Sequence, residues 1–227
     1  LRLKKEVLGP IVALGVSPFI MQSTESLVSI SFNSSLRTYG GDTAVGAMTI
    51  CSSVMQVVYL PLQGLAQGAQ PIVSYNYGAR NAQRVRAAFR CLLRACVTYS
   101  LLLWALVQLF PRMFILMFNS SPELVEYASW ALRIYMAATG IFGVQIACQQ
   151  TFVALGNAKT SLFLAVLRKI ILLIPLIYIL PHFFADKAFA VFLAEPVADV
   201  LAVLTTSTMF AFQFKRSMAE LEKHPEL

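Results

Sequence analysis

Glu25 sits in an apolar run, in a row of amides and hydroxyls. Pro18, Gln22, Glu25, Ser29 and Asn33 recur at three- and four-residue intervals, so a helix carries them on one face. Fifteen residues separate Glu25 from Pro10, about 22 Å of helix at ~1.5 Å per residue. In a helix that crosses a bilayer, this places the carboxylate near mid-membrane. An ionised acid there costs roughly 2.5–3.5 kcal/mol and normally faces the bundle interior, on an ion or proton path. Such a group is suited to taking up a proton or a cation from one side and releasing it to the other. A structural reading also stands, because Ser23, Thr24, Ser26 and Ser29 could satisfy the glutamate locally.

Glu195 and Asp199 form a second acidic site, four residues apart on one helical face with Pro196 between them. Two acids so placed cannot both stay ionised cheaply without a cation or a shared proton. They read either as an outer cation pathway or as a pair neutralised by Lys187 or Arg133. Uncharged polar groups fill other faces. Thr49, Ser53, Gln56, Tyr59, Gln63, Gln67, Gln70 and Ser74 make a stripe at helical steps, and glutamine can donate and accept without fixing a charge. We expect the glutamines to line a cavity, Gly64 and Gly68 to serve close helix packing, and Pro61 to kink the helix. Tyr135, Phe142, Gln145 and Gln149 form a mixed aromatic and amide stripe, suited to a flat cation or to core packing. Arg168 and Lys169, about two turns into an apolar run, are expected to snorkel to the inner interface.

The elements that position these groups are set by composition. Apolar residues make up 58% of the 227-residue chain and charged ones 13%, against about 45–50% and 25% in soluble domains. Mean hydropathy is +0.69. Stretches able to cross a ~30 Å hydrocarbon core fall at 10–36, 44–75, 88–118, 124–155, 160–181 and 188–213, followed by a polar tail at 214–227 that frays from Ala219. The fold class is all-α: a polytopic bundle of six transmembrane helices in a single lobe. Fourteen of the eighteen Lys and Arg fall on one side of these spans, leaving Arg37, Arg112, Arg133 and Lys187 on the other. By the positive-inside rule both termini face the cytosol, in a cell inner (cytoplasmic) membrane. The +7 charge is then topogenic, and nucleic acid is not an expected partner. The opening charge-then-apolar pattern lacks a small-residue cleavage site, so it does not read as a signal peptide. Cys51, Cys91, Cys96 and Cys148 show neither disulfide nor metal spacing. His182 and His224 lie outside the spans, and no GxxxxGK[ST] loop occurs, which argues against a membrane protease or a nucleotide-driven pump. The chain begins at Leu1 without an initiator Met, as the second half of something longer would.

The segment PLQGLAQGAQPIVSYNYGARNAQRVRAAF resembles the multidrug and toxic compound extrusion (MATE) family at its eighth span and following cytosolic loop. GNAKTSLFLAVLRKIILLIPLIYILP resembles the junction of the tenth and eleventh spans, and FLAEPVADVLA the twelfth, in the MepA-like branch. The likeness covers essentially the whole chain. It implies the C-terminal six-helix lobe of a twelve-helix antiporter, partnered by a missing N-terminal lobe. Such a protein exports cationic amphipathic small molecules in exchange for H+ or Na+, with no cofactor. Glu25 stands where the family carries a coupling acid in its seventh span. The drug cavity implied is lined by Gln22, Ser29, Asn33, Gln56, Tyr59, Gln63, Gln67, Gln145 and Gln149. One departure puts a sodium site in doubt: some sodium-coupled relatives add an aspartate in the tenth span, and here the only acid from Leu124 to Leu155 is Glu126, at its outer end. A lipid-linked saccharide flippase would need a more basic cavity, and a membrane scaffold would need no polar stripes.

Overall fold

The computed structural model describes the backbone of residues 5–223 and the side chains of residues 23–223 apart from Ala158. The side chain of Gln22 lies outside this set. Helix and turn are the only secondary structure among the described residues.

The first element, α1 (Lys5–Gly78), is two helical arms that meet at Gly41, with φ 67° and ψ −161°. That conformation is open to glycine because it has no Cβ. The helix continues through Pro61 with helical dihedral angles, Gly41 being its one non-helical residue. A single missing donor on an exposed face is tolerated in a membrane helix. The second arm buries Ala47, Cys51, Val54, Val58, Leu62, Ala66 and Val73. Its glutamine stripe runs alongside, partly or fully exposed. In the first arm Thr24, Val28, Ser31, Phe32, Ser35 and Leu36 face the core, while Glu25, Ser29 and Asn33 face outward together. Gly64 and Gly68, expected at helix contacts, have open space where a Cβ would stand.

Two expected spans are broken. The run at 88–118 divides into α2 (Ala82–Leu109) and a short α3 (Pro111–Leu116), because Pro111 lacks the N–H that would continue the helix and suits a new first turn. The run at 124–155 divides into α4 (Pro122–Tyr135) and α5 (Thr139–Ala154), bent by 47°. A bend in a membrane frees carbonyls that water cannot reach. Three α2 side chains, one per turn, supply donors along the bent pair. Ser100 Oγ donates to the Gly140 carbonyl at 2.9 Å, Trp104 Nε1 to Ala137 at 2.9 Å, and Gln108 Nε2 to Arg133 at 2.8 Å. The α2 and α5 backbones approach closely at Gly143, where a Cβ would lie 2.4 Å from the Cys96 carbonyl oxygen.

The chain continues through α6 (Ala158–Val166), a π-helical stretch Leu167–Leu173, α7 (Ile174–Ile179) and a 3-10 turn Leu180–His182. The last element is α8 (Lys187–Lys223), 37 residues long. The expected fraying from Ala219 is not seen before Lys223. Met218 is fully buried against Val73, Ala82, Val85 and Ala154, with the partly buried Phe214 and Leu221 packed alongside, and Arg86 pairs with Glu222 at 2.5 Å. Among the described residues four helices are long and apolar enough to cross a membrane, or five with α4 and α5 taken as one span, the broken α1 counting once.

Gly143→Ala is expected to destabilise the bundle by about 1–3 kcal/mol through overpacking. Gly64→Ala is expected to be neutral or to stabilise by up to about 1 kcal/mol. Thermal unfolding in detergent, followed by fluorescence of Trp104 and Trp130, separates the two.

Candidate functional site

The π-helical stretch organises the site. Its closing bond runs from the Ile174 amide to the Lys169 carbonyl, five residues back. Pro175 supplies the physical reason, because it cannot donate and its ring crowds the carbonyl four residues earlier; the wider turn accommodates both effects. Such bulges are common at functional positions. This one carries Arg168 and Lys169 toward α8 and the first arm of α1.

Arg168 is buried and held on three sides. Nε donates to Asp199 Oδ1 at 2.5 Å, Nη2 to Glu195 Oε1 at 2.9 Å, and the guanidinium lies 4.5 Å from the centre of the Phe142 ring. Glu195 and Asp199, one turn apart on α8, are each 1% exposed. Lys169 Nζ donates to Glu25 Oε2 at 3.2 Å and lies 3.9 Å from Glu195 Oε1. Three carboxylates thus face two cations in one chain of contacts. With every group ionised, one negative charge is left over. Glu195 Oε2 is buried and has no hydrogen-bond partner among the described protein atoms.

This arrangement corrects two expectations. Arg168 and Lys169 do not snorkel to an interface; they point into the bundle, because α8 presents acids that repay their desolvation. The acids on α8 are paired with Arg168, with Lys169 nearby, rather than with Lys187 or Arg133. Lys187 instead lies 5.3 Å from the Tyr39 ring centre, and Arg133 is exposed.

A pocket of about 400 Å³ opens over the cluster, within the usual ~300–1,000 Å³ range for ligand sites. Its walls are Glu25, Ser52, Met55, Gln56, Tyr59, Gln63, Tyr135, Phe142, Arg168, Lys169 and Glu195. Five separate elements therefore converge on it. Gln63 donates to the Tyr59 hydroxyl, and Gln67 Nε2 to Gln63 Oε1 at 3.1 Å, extending the amide row beyond the wall.

Of the residues singled out in the sequence, Glu25, Gln56, Tyr59, Gln63, Tyr135, Phe142 and Glu195 meet here, with Asp199 just behind. Ser29 and Asn33 are exposed farther along the first arm, outside the wall. Gln145 is buried in α5, with both amide atoms lacking a hydrogen-bond partner among the described residues, and Gln149 donates to the Ser161 carbonyl at 3.1 Å. Neither amide reaches the pocket. The residues that sequence reasoning did not place here are Arg168, Lys169, Ser52 and Met55. The cations had a readable signal: Arg168 and Lys169 in one apolar run and Glu195 and Asp199 in the next make an oppositely charged set that adjacent membrane helices would have to pair.

Removing one member of a buried ion pair leaves an uncompensated charge, at about 3–5 kcal/mol. Arg168→Met is therefore expected to lower the unfolding midpoint sharply or abolish recovery. Adding Glu195→Gln and Asp199→Asn should restore most of the loss, as read by size-exclusion profile and thermal unfolding.

Residues 18–179 match the MatE family. The chain is 23% identical over 202 residues to the multidrug export protein MepA of Staphylococcus aureus, an alignment covering 88% of this chain and 44% of that one. The MepA of Staphylococcus haemolyticus is 21% identical over 201 residues, with the same shares. The chain thus spans about half the length of the curated relatives it matches. Among solved structures, an inward-facing multidrug resistance MATE family transporter of the MOP superfamily superposes with a TM-score of 0.86 at 19% identity, over 100% of this chain and 51% of that one. A MOP superfamily transporter from Pyrococcus furiosus gives 0.84 at 19% identity, over 95% and 48%. It is described as having a binding pocket of reverse polarity that suggests a different function. At these identities the structural likeness carries the fold alone, while the family match covers most of the sequence. The chain belongs to the MatE family, whose members are multi-pass membrane transporters and not enzymes.

Proposed function

We propose that this chain forms the C-terminal six-span lobe of a secondary multidrug antiporter in the cytoplasmic membrane, with both termini in the cytosol, and that Glu25 exchanges a coupling H+ or Na+ for a cationic amphipathic drug. The observation that carries this reading is the surplus negative charge in the cluster of Glu25, Glu195, Asp199, Arg168 and Lys169. Of its three carboxylates, Glu195 and Asp199 are enclosed, whereas the Glu25 side chain is 56% exposed at the pocket mouth. Glu25 is therefore the acid within reach of an arriving proton or ligand. Tyr59, Tyr135 and Phe142 offer ring surface beside it, suited to the apolar body and charge of a flat cation. Gln56 and Gln63 add contacts that do not select a particular charge pattern.

Transport follows from differential affinity, because a ligand shifts a conformational equilibrium only when it binds the two states unequally. Protonation or cation uptake at Glu25 from outside cancels the surplus charge and favours the drug-releasing state. Loss of that proton to the cytosol restores the attraction for a cationic drug. Ser29, Asn33 and the Gln67 amide, exposed on the same arms of α1, extend this cavity in the assembled transporter.

Arg168 and Lys169 in the pocket bear on a second reading, a lipid-linked saccharide flippase that cradles a pyrophosphate. Their charges are already matched by three acids, so a dianionic headgroup would meet a site of the wrong sign. Cells expressing the full-length protein with Glu25→Gln are expected to lose ethidium efflux, and normal efflux would contradict the coupling role. Imposing proton and then sodium gradients on inside-out vesicles of the unsubstituted protein identifies the coupling ion by which gradient drives uptake.

A further inference from the structure

Lys169, like Arg168, contacts two acids, but at longer range and from a more flexible side chain. Its ammonium contacts Glu25 at 3.2 Å and stands 3.9 Å from Glu195. The other Glu195 oxygen, Oε2, is buried and has no hydrogen-bond partner among the described residues. Arg168 lacks this freedom: its planar fork is fixed by Asp199, Glu195 and the Phe142 face. A lysine carries three donors on a flexible four-carbon stem, so a small rotation moves its charge from one acid to the other.

We infer that Lys169 is a tethered counter-cation, which occupies Glu25 when the pocket is empty and withdraws to Glu195 when a proton or a cationic ligand takes over the Glu25 charge. The inference rests on the antiport reading above and adds the device that makes proton and drug exclude each other. In the empty pocket Glu25 is already satisfied by an internal cation, so an incoming drug must displace Lys169, and its apparent affinity is reduced accordingly. Protonating Glu25 removes the attraction that holds Lys169 forward. The ammonium then joins Arg168 against Glu195, the acid with a vacant oxygen. No bond is made or broken apart from the proton itself, which passes between solvent and the Glu25 carboxylate.

The charged and titratable groups around Glu25 come from four elements. Lys169 and Arg168 lie on the π-helical stretch, Glu195 and Asp199 on α8, Tyr59 on the second arm of α1 and Tyr135 on α4. Of the cations in this set only Lys169 contacts Glu25 directly. Its removal leaves the Arg168 hydrogen bonds to Glu195 and Asp199 in place.

The test uses the full-length transporter in nanodiscs, with tetraphenylphosphonium as the cation. Binding is measured at alkaline pH, and the Glu25 carboxyl band is followed against pH by difference infrared spectroscopy. Lys169→Met is expected to tighten tetraphenylphosphonium binding by about 5- to 150-fold, the usual range of coupling between sites, and to move the Glu25 protonation midpoint upward by about one unit or more. The affinity gain should vanish in a Glu25→Gln background. Lys169→Arg, which keeps the charge, should behave much more like the unsubstituted protein. Lys169→Gln provides the same readouts where the methionine variant is not recovered. Binding no tighter than in the unsubstituted protein, or an unmoved Glu25 midpoint, overturns the inference. A transporter that binds no cation in any form overturns the antiport reading, while the infrared midpoint still decides whether Lys169 holds Glu25.

Discussion

A guanidinium buried in a membrane bundle must be paired, and the pairing of Arg168 with Glu195 and Asp199 is the constraint on which the rest of this lobe depends. It joins α8 to the π-helical stretch by hydrogen bonds of 2.9 and 2.5 Å. It also seats the guanidinium against Phe142 of α5. Three elements are thereby held in register at one point. In lipid there is little hydrophobic gain from helix association, so a charge pair that cannot be satisfied elsewhere contributes specificity beyond its net energy. The cost of desolvating both partners means that such a pair need not stabilise strongly; what it forbids is any arrangement that separates them.

From this fixed pair the site follows outward. Because Arg168 is consumed by the α8 acids, Lys169, the next residue, is left to reach forward to Glu25 on the first arm of α1. The two basic residues are adjacent in sequence yet differ in freedom. One forms part of the scaffold, and the other stands at the pocket surface with a side-chain exposure of 16%. The polar donors of α2 perform a similar service for the backbone, with Ser100, Trp104 and Gln108 bonded to carbonyls along the bent pair α4 and α5. That bend brings Tyr135 and Phe142 to the same pocket wall.

Much of this was legible before any coordinates. The apolar runs, the face shared by Glu25, Ser29 and Asn33, and the face shared by Glu195 and Asp199 are periodicity arguments, and periodicity survives folding because it is local. The multi-pass helical architecture follows from the same patterns. Relations between helices were not legible. Which cation meets Glu195 depends on helix rotation and on the π-helical turn at Leu167–Leu173, and neither is written in a hydropathy trace. Snorkelling was the natural expectation for Arg168 and Lys169 because it treats each helix alone. Likewise, glycine at positions 64 and 68 suggested close contact, whereas the close approach occurs at Gly143. A small residue permits an approach without determining where one happens.

The central claim is that the cluster carries one surplus negative charge, to be neutralised by either a proton or a cationic ligand. Proton release on ligand binding measures this most directly. Calorimetric titration of tetraphenylphosphonium into the full-length transporter, repeated in buffers of differing ionisation enthalpy, yields the number of protons displaced. The account predicts about one proton released per cation bound below the protonation midpoint of the cluster, falling to about zero above it. Cation binding that releases no protons at any pH would contradict it.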